Sequence, residues 1–499
     1  MTELARSRGI GLHTADEVRA AEEPLLAATA PGALMQRAAA GLATVCLRLL
    51  GDTYGRRVAL LVGTGNNGGD ALFAGARLAA RGARVSAVLL DAERVHGPAL
   101  AALRRAGGRV LPAGAAGVEA TVTRADLVLD GMLGIGGSGG LRPPAARLAG
   151  LAANGAGITV AVDVPSGVDA STGAVEGAAF PAMHTVTFGA VKLGLVVGEG
   201  RSLAGQVHLV DIGLELPAAT VRQLADPDVA ARLEPPSAGD DKYSQGVVGI
   251  VAGSSAYPGA GVLCTGAALR TRPGLVRYAG TAADGVRAAW PEAIVTDGRP
   301  GDAGRVQAWV VGPGMGTDDA ARSVLAEVLA TDLPVLVDAD ALTMLAEQPE
   351  LVRNRTAGTL LTPHDGEFGR FGAGRGGVGA DRVAAARRLA ADLGCTVLLK
   401  GDATVVADAD GTAFVNGTGT PWLATAGTGD VLSGIAGALL ATGLPAVEAG
   451  AAAAHLHGRA GQLAARRGPL LAGDLVRRLP EAVGRVHGPG PAGLGDSGP

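Results

Sequence analysis

Short runs of apolar and β-branched residues alternate with longer, alanine-rich amphipathic stretches along the whole chain. In the first half, the runs begin at residues 57, 83, 125 and 159 (RVALLVG, ARVSAVLL, ADLVLD and TVAVDV). In the second half, they begin at residues 247, 308, 334, 358 and 396. Buried strands that alternate with helices form βαβ units, so the pattern predicts an α/β fold with parallel, doubly wound sheets. A helix-like stretch at residues 14–50 precedes the first strand, and we expect it to pack on the sheet or on a partner subunit.

A polar, proline-punctuated segment, DPDVAARLEPPSAGDDKYSQG, interrupts the alternation at residues 226–246. A length of 499 residues allows two or three domains at about 150 residues each. We place the boundary near residues 225–240, which predicts one domain at 1–225 and a second at 226–485. The first is expected to hold a Rossmann-like, doubly wound parallel sheet, and the second to be another doubly wound α/β domain. The Gly/Pro-rich end at 486–499 has the composition of a disordered tail.

Composition narrows the class of protein. Hydrophobic residues make up 48% of the chain but aromatic residues only 3%, which is typical of α/β cores built from Val, Leu and Ala. The net charge of -4 and the lack of a long basic run argue against nucleic acid and favour small-molecule partners. Three scattered cysteines, Cys46, Cys264 and Cys395, indicate reduced thiols. No signal-type segment or apolar run of ~18 residues occurs, which predicts a cytoplasmic protein without a membrane span.

A glycine-rich turn leads into an apolar helix in TAGTGDVLSGIAGALL, residues 425–440. Backbone N–H groups of Gly427, Thr428 and Gly429 can point at an anion, and the helix dipole favours negative charge there. Asp430 follows in the first helical turn, where its carboxylate can take a proton from a hydroxyl. The arrangement suits phosphoryl transfer to an alcohol. A glycine-rich helix entry without a ligand is the structural alternative.

A second glycine-rich segment, GTGNNGGDA, follows the strand that begins at residue 57. Its predicted loop, placed before a helix, consists of Gly63, Gly65, Asn66, Asn67, Gly68, Gly69 and Asp70. The segment lacks the ending of a Walker A loop and does not match G-x-G-x-x-G, so it predicts dinucleotide or pyrophosphate recognition without naming a reaction. A tight strand-to-helix turn would explain the glycines but not the adjacent asparagines and the aspartate.

Two further strand ends in the first half carry acids. Asp130 precedes another glycine-rich loop, and Asp163 precedes Ser166 by three residues. Ligands of parallel sheets bind at the carboxyl ends of the strands. Asn67, Asp130 and Ser166 offer hard oxygen ligands from three such ends, which suits an alkali or alkaline-earth cation. Asp163 is then available for acid/base chemistry, while a simple helix cap is the alternative for each aspartate.

Together, GTGNNGGDA, LDGMLGIGGSGG and DVPSGVDASTG resemble the NAD(P)H-hydrate epimerase domain, also called the YjeF N-terminal domain, over roughly residues 10–215. The resemblance implies that potassium binds to Asn67, Asp130 and Ser166 and that Asp163 acts at the reacting centre. It implies that the hydrated nucleotide binds to Asp163 and to two segments, Asn66, Asn67, Gly68, Gly69, Asp70 and Gly134, Ile135, Gly136, Gly137, Ser138, Gly139, Gly140. The hydrate is a hemiaminal whose C6 centre inverts if its C–O bond opens and recloses, which a proton-exchanging carboxylate serves in both directions.

In the second half, KYSQGVVGIVAGSSAYPGAGVL, VVGPGMG, VLVDADAL, LLTPHDGEF, LLKGDATVVAD and TAGTGD follow in order. They resemble the ADP/ATP-dependent NAD(P)H-hydrate dehydratase family of ribokinase-like fold over roughly residues 235–485. The resemblance implies adenine-nucleotide contacts at Lys400, Gly401, Asp402, Ala403, Thr404 and Gly429, and hydrate contacts at Ala260, Gly316, His364 and Asp430. Asp430 would deprotonate the C6 hydroxyl during its phosphorylation, with Mg²⁺ neutralising the nucleotide.

Two segments depart from that family's pattern. Residues 241–246, DKYSQG, stand where the family has His-Lys-Gly-x-Tyr-Gly, and residues 272–275, RPGL, replace Gly-Ala-Gly-Leu. These differences concern loop detail and affinity rather than the fold or Asp430. His364 also has a structural alternative, because a histidine after a strand can simply satisfy a loop carbonyl.

The fusion implies a bifunctional enzyme that epimerises the R and S hydrates of NADH and NADPH and dehydrates the S form at the expense of ADP or ATP. Resemblance to bacterial members favours ADP, and the family's habits suggest a homo-oligomer. Two alternatives stay open. The second half could be a small-alcohol kinase, such as a hydroxymethylpyrimidine kinase, because fold does not fix substrate. The first half could be a non-catalytic binding or scaffold domain.

Overall fold

The computed structural model describes residues 9–488 except residues 273, 298, 372–376 and 467. The chain forms two compact units. One consists of Gly11–Ala219, and the other of the residues from Thr220 onwards together with Gly9 and Ile10. Each unit has its own parallel sheet and its own core.

The first unit is built around a seven-stranded parallel sheet in the order β4-β3-β2-β5-β6-β7-β9, while β1 pairs in parallel with β8. Its strands are β1 Ile10–His13, β2 Arg57–Val62, β3 Arg84–Leu89, β4 Arg109–Pro112, β5 Leu127–Gly131, β6 Ile158–Val162, β7 His184–Phe188, β8 Val191–Lys192 and β9 Gln206–Val210. Its helices are α1 Ala15–Ala28, α2 Ala33–Leu50, α3 Asn66–Ala79, α4 Gly97–Arg105, α5 Val118–Thr123, α6 Ala145–Ala153 and α7 Gly198–Ala204. Chain order reverses between β2 and β5, which defines a switch point.

The strands of this sheet are buried on both faces. Along β2, Val58, Leu60 and Val62 belong to one core cluster, and Ala59 and Leu61 belong to another. Successive side chains of a strand point to opposite faces, so the apolar run seen in the sequence covers both. The helices α2, α3 and α4 contribute to the first cluster, and α5 and α6 to the second.

The second unit contains a sheet in the order β13-β12-β11-β14-β15-β16-β17-β18-β19-β10. Its strands are β10 Val221–Gln223, β11 Val247–Val251, β12 Leu275–Tyr278, β13 Ile294–Val295, β14 Ala308–Val311, β15 Val335–Val337, β16 Thr359–Leu361, β17 Thr396–Leu399, β18 Val405–Ala407 and β19 Ala413–Val415. Its helices are α8 Asp226–Ala230, α9 Pro258–Thr271, α10 Ala283–Ala289, α11 Asp319–Leu329, α12 Ala339–Glu347, α13 Glu350–Arg353, α14 Asp365–Phe371, α15 Arg382–Leu393, α16 Thr428–Leu440, α17 Ala446–Ala465 and α18 Ala472–Val486. Pairing is parallel except where β18 meets β17 and β19.

The helix that carries the predicted GTGD turn, α16, is packed into the core of the second unit. Val431, Ile435 and Leu439 are fully buried in a cluster shared with α9 and α17. A Cβ at Gly434 would overlap the Cys264 carbonyl of α9, so glycine is needed there for the two helices to approach. This packing fixes the start of α16 relative to the sheet.

The predicted α/β class and the main strands are confirmed. The helix-like stretch at 14–50 forms two helices, separated at Gly32, whose φ of 82° suits glycine. The antiparallel pairing of β18 was not predicted. All three cysteines are buried and free. Most of the predicted tail, residues 489–499, lies outside the described residues, and Val486 is the last residue of α18.

Among the described helices, α2 alone has the length and apolar composition of a membrane span. Its buried side chains, including Leu34, Leu42 and Cys46, belong to the core of the first unit. Helices in protein cores satisfy the same length and composition criteria, so the finding is weak evidence for a span.

Candidate active sites

The loops that follow β2 and β5 meet at the switch point of the first unit. A Cβ at Gly63 would overlap the Met132 carbonyl, and a Cβ at Gly131 would lie 3.0 Å from the Asn67 carbonyl. Glycine therefore lets the two strand ends and the start of α3 approach closely. This is the position where open parallel sheets bind their ligands.

The NNGGD segment is helical, not a loop. α3 begins at Asn66 with Gly65 as its N-cap, so the prediction of a loop extending to Asp70 was wrong. The N–H groups of Gly68 and Gly69 already bond to the Gly65 carbonyl at 3.1 and 3.3 Å. Glycines are typical of loops, which is why the sequence predicted one here. At Gly68, however, glycine is needed inside the helix because a side chain there would overlap the Gly63 carbonyl.

The three predicted cation ligands lie close together. Ser166 Oγ is 2.7 Å from Asp130 Oδ1, and Ser166 N–H donates to Asp130 Oδ2 at 2.8 Å. The side chain of Asn67 reaches the carbonyl of Leu133 at 2.6 Å and that of Val162 at 2.7 Å, and the Leu133 carbonyl also lies 3.3 Å from Ser166 Oγ. Burial raises the pKa of Asp130 to about 6, against the effect of its hydrogen bonds from Ser166.

Oxygen atoms dominate this cluster. Two backbone carbonyls converge on the end of Asn67, beside a carboxylate and a hydroxyl. Among the described residues, no group of three or more His, Cys, Asp or Glu is arranged to hold a metal. The donor set therefore fits a hard cation of low charge rather than a transition metal.

Asp163 is paired with a buried lysine. Lys192 Nζ lies 2.6 Å from Asp163 Oδ1, and Lys192 is 1% exposed. Thr187 Oγ1 and Phe188 N–H donate to the same oxygen at 3.1 and 3.2 Å. The backbone of Asp163 has a φ of 67°, in the left-handed region that few residues other than glycine adopt. Such strain is often found at functional positions.

Two more carboxyls in this unit are electrostatically coupled to Asp163. Burial raises the pKa of Asp70 well above its usual range, and the charges of Asp163 and Glu22 add to the effect. Burial, followed by Asp163, likewise raises the pKa of Glu22 on α1. Asp70 is 7% exposed, and its side chain has no hydrogen-bond partner within the part of the chain that the structure describes. A neutral Asp70 can donate a hydrogen bond to a ligand.

The glycine-rich loop predicted to bind the hydrate follows β5 and borders the same cluster. A Cβ at Gly134 would lie 3.1 Å from Asn67 Cγ. Gly137 N–H donates to the Gly134 carbonyl at 2.9 Å, and Arg19 of α1 donates to the Ile135 carbonyl at 2.7 Å. The two predicted substrate segments therefore meet at Asn67. Ser138, Gly139 and Gly140 complete the loop.

In the second unit, α16 starts at Thr428 after Gly427, whose φ is 85°. Asp430 lies in the first turn, as predicted. Burial raises the pKa of Asp430 to about 6, with a further contribution from Asp338 that Lys400 opposes. Behind the turn, His457 Nε2 is 2.9 Å from the Thr428 carbonyl, and burial lowers the pKa of His457 to about 4. A neutral His457 therefore donates to that carbonyl and steadies the turn.

Lys400 stands at the end of β17 between two buried carboxylates. Its Nζ lies 2.8 Å from Asp338 Oδ1 and 3.5 Å from Glu367 Oε2. Ser433 Oγ donates to the other oxygen of Asp338 at 2.7 Å. Burial alone would lower the pKa of Lys400, but Asp338 and Glu367 raise it above its usual value. The lysine is therefore a permanent cation at neutral pH.

A cavity of about 450 Å³ opens beside this lysine. Five of the predicted nucleotide-binding residues line it, namely Lys400, Gly401, Asp402, Thr404 and Gly429. Ala403 is 2% exposed and is not among the lining residues. The cavity thus combines a cation and the N-terminus of α16, both of which attract phosphate.

The remaining predicted dehydratase residues follow other strand ends. Gly316, with a φ of 85°, donates its N–H to Asp340, and Ala260 lies in the first turn of α9. His364 Nδ1 accepts from Gly366 N–H at 3.0 Å, so the histidine satisfies backbone donors at the start of α14 rather than a carbonyl. Its ring is exposed and remains open to a ligand.

The altered segment at 241–246 forms a turn in which Asp241 accepts the N–H groups of Tyr243 and Ser244, both at 2.8 Å. It leads directly into β11. In the other altered segment, Arg272 and Gly274 flank residue 273, which lies outside the described residues.

Sequence reasoning missed Lys192 and Glu22 in the first unit, and Asp338 and Glu367 in the second. One available signal was composition, since the 43 Lys and Arg residues include only three lysines, and two of those, Lys192 and Lys400, lie inside or beside apolar strands. The other signal was an acidic residue at the end of a strand. We used it to select Asp130 and Asp163, but Asp338, which follows β15, has the same position and was not selected.

Two family models match this chain, one in each of its two units. The family described as YjeF-related protein N-terminus matches residues 31–194, and the family described as NAD(P)H-hydrate dehydratase matches residues 248–481. A structure of the ADP/ATP-dependent NAD(P)H-hydrate dehydratase from Bacillus subtilis, co-crystallised with ATP and Mg²⁺, aligns with 29% identity over 54% of this chain and 100% of its own, with a TM-score of 0.48.

Two relatives match nearly the whole chain. The bifunctional NAD(P)H-hydrate repair enzyme Nnr of Mycobacterium tuberculosis is 54% identical over 443 residues, covering 88% of this chain and 91% of that protein. The enzyme of the same name from Mycobacterium leprae is 53% identical over 476 residues, covering 94% of this chain and 97% of that protein. The chain belongs to the family of bifunctional NAD(P)H-hydrate repair enzymes.

Proposed function

We propose that the chain epimerises the R and S hydrates of NADH and NADPH in its first unit and dehydrates the S hydrate in its second. The observation that carries the proposal is that each unit presents one reactive aspartate, Asp163 or Asp430, among the residues expected for its half-reaction. We assign epimerisation to residues 1–225 and dehydration to residues 226–485. Membership of the repair-enzyme family argues against a small-alcohol kinase fused to a scaffold domain.

In the epimerase half, Asp163 is the group that exchanges a proton with the hydrate. Protonation of the C6 hydroxyl lets the C–O bond break while the lone pair of N1 forms a C=N bond. Water then adds to either face of C6 and gives up a proton, so the protonated carboxyl group of Asp163 acts first as acid and the resulting carboxylate then acts as base and recovers the proton. The segments at Asn66–Asp70 and Gly134–Gly140 hold the nucleotide.

We assign a potassium ion to Asn67, Asp130 and Ser166. The convergence of the Leu133 and Val162 carbonyls on the end of Asn67 supports this, because the amide orientation can reverse to present Oδ1 to a cation. When bound, the ion supplies positive charge beside the substrate. Replacing potassium by lithium or by a bulky organic cation is expected to lower epimerisation and leave dehydration of the S hydrate unchanged.

In the dehydratase half, Asp430 takes the proton of the C6 hydroxyl while that oxygen attacks the terminal phosphoryl group of the nucleotide, whose bond to the bridging oxygen breaks and releases AMP from ADP, or ADP from ATP. Phosphate then leaves with the C6–O bond, and loss of the C5 proton restores the dihydronicotinamide ring. Lys400 and the N–H groups at the start of α16 bind the phosphates, with Gly401, Asp402, Ala403, Thr404 and Gly429 around the nucleotide and Ala260, Gly316 and His364 around the hydrate. The excess negative charge of Asp338 and Glu367 over Lys400 fits a nucleotide whose phosphates carry Mg²⁺.

The test is to incubate the protein with mixed R and S hydrates, Mg²⁺ and potassium, and to follow the return of dihydronicotinamide absorbance with ADP and with ATP separately. Complete recovery with ADP is the expected result. Recovery that stops at the S fraction would disprove the epimerase assignment, and no recovery with either nucleotide would disprove the dehydratase. Gel filtration and fractionation would test the two remaining expectations, a homo-oligomer and a cytoplasmic location.

A further inference from the structure

We propose that Lys192 is a positioning residue of the epimerase site, which holds one oxygen of Asp163 so that the other oxygen alone exchanges the proton with the hydrate. The inference rests on the role proposed above for Asp163. Nothing in the sequence motifs pointed to Lys192, which occupies the last position of β8 in the segment AVKLGL.

The ammonium group of Lys192 is fully engaged by the protein. Its Nζ lies 2.6 Å from Asp163 Oδ1, 2.8 Å from the Phe188 carbonyl and 3.1 Å from Thr187 Oγ1. An ammonium has three donors, so each can be matched with one of these acceptors. With 1% of its surface exposed, Lys192 cannot itself reach a substrate, and any catalytic effect passes through Asp163.

The two oxygens of Asp163 have different surroundings. Oδ1 is contacted by Lys192 Nζ, by the Thr187 hydroxyl and by the Phe188 N–H. Oδ2 has no hydrogen-bond partner among the described residues. Since proton transfer needs a free lone pair at a fixed place, Oδ2 is the atom left for the hydrate.

The backbone at Asp163 is held as firmly as its side chain. Its N–H donates to the Val186 carbonyl at 2.8 Å, and Val164 N–H donates to the Val162 carbonyl at 2.8 Å across the left-handed Asp163. The second bond closes a γ-turn centred on Asp163. The end of the Asn67 side chain lies 2.7 Å from the same Val162 carbonyl, which places the turn beside the helix that carries Asp70. A carboxylate fixed in this way is preorganised for a small reacting centre.

Lysine suits this position better than arginine. The chain uses arginine for nearly all of its cations, yet a planar guanidinium could not place three donors on acceptors that surround a single atom. A compact ammonium can, and its charge offsets the negative charge of Asp163.

The test is a double-mutant cycle in the intact chain with Lys192→Met, Asp163→Asn and both together. Epimerisation is measured by conversion of pure S hydrate to R, without nucleotide. Lys192→Met is expected to lower kcat by about 10²-fold with KM changed less than about threefold, because binding groups are untouched. The double variant is expected to match Asp163→Asn within about threefold, because Lys192 acts only through Asp163.

Dehydration of S hydrate by the second unit measures protein quality in every variant, and Arg84→Met, at an exposed position of β3, is the matched control. Thr187→Val removes a donor to Oδ1 without burying a charge, and a three- to tenfold fall in kcat is expected. This second variant decides the matter if Lys192→Met does not fold.

Three outcomes would overturn the inference. They are a wild-type kcat for folded Lys192→Met, a double variant whose loss is the product of the two single losses, or, where Lys192→Met does not fold, a wild-type kcat for Thr187→Val. Failure of the proposed function gives a different result, because Asp163→Asn would then epimerise normally.

Discussion

Both units pair a buried aspartate with a lysine at the end of a parallel strand or beside it, but they use the pair differently. In the first unit, Lys192 binds Asp163, the aspartate that we propose to react. In the second unit, Lys400 binds Asp338, and the side chain of Asp430, the proposed base, has no hydrogen-bond partner among the described residues. The lysines also differ in exposure, with Lys192 at 1% and the Lys400 side chain at 20%.

The difference follows from the two reactions. Epimerisation needs a carboxyl group that gives and takes a proton at one fixed oxygen, and the ammonium of Lys192 can fix that group by holding its other oxygen. Dehydration needs a base strong enough to deprotonate a hydroxyl while phosphate is transferred, and a raised pKa of about 6 provides it. Lys400 is thereby left partly open to the cavity, where phosphate oxygens can reach it.

The largest expected effect is a reciprocal loss of activity. Asp430→Asn should lower dehydration by about 10²- to 10⁴-fold and leave epimerisation intact, while Asp163→Asn should do the reverse. The measurement uses pure S hydrate with ADP for one activity and S-to-R conversion for the other. Loss of both activities in either variant would contradict the view that each unit has a self-sufficient acid/base group.

Removing Lys400 should come next in size. Lys400→Met is expected to raise the KM for nucleotide by about 10- to 100-fold and to lower the stability of the second unit, because Asp338 is left buried without its cation. Arg388→Met, at an exposed position of α15, is the control. An unchanged nucleotide KM, with epimerisation as the reference activity, would show that Lys400 does not contact the phosphates.

The fold could be predicted from sequence because strand periodicity and glycine-rich motifs are local signals, and the same motifs led to the roles that we propose for Asp163 and Asp430. Asp163 and Asp430 both stand beside such motifs. Lys192 was not assigned, because its partner lies 29 residues away and the two meet only through the pairing of β6 with β7 and the left-handed turn at Asp163. The prediction of a loop at NNGGD was wrong for a similar reason. Gly68 is glycine because a side chain would overlap the Gly63 carbonyl, a contact that the sequence does not show.

The pH dependence should separate the two sites further. Asp430 must be ionised to act as a base, and with a pKa of about 6 it becomes protonated as the pH falls. Dehydration measured as kcat/KM is therefore expected to be flat above pH 7 and to fall tenfold per unit below about pH 6. Epimerisation by the same preparation is the reference for protein integrity. A flat dehydration profile down to pH 5 would contradict the assignment of Asp430 as the base.

The smallest expected effect concerns stability at the first site. Because the pKa of Asp70 is raised in the folded protein, folding at neutral pH must protonate a carboxylate that is ionised in the unfolded chain, which costs stability, and Asp70→Asn should stabilise the first unit by about 1 kcal/mol. The gain should shrink as the pH falls towards the usual range for aspartate, where Asp70 is protonated in both the folded and the unfolded state. Amide hydrogen exchange along α3 measures the effect in the intact chain, with exposed Glu93→Gln as the control. A gain that did not depend on pH would mean that side-chain shape, rather than charge, limits stability there, and Asp70 would then not be held neutral by its surroundings.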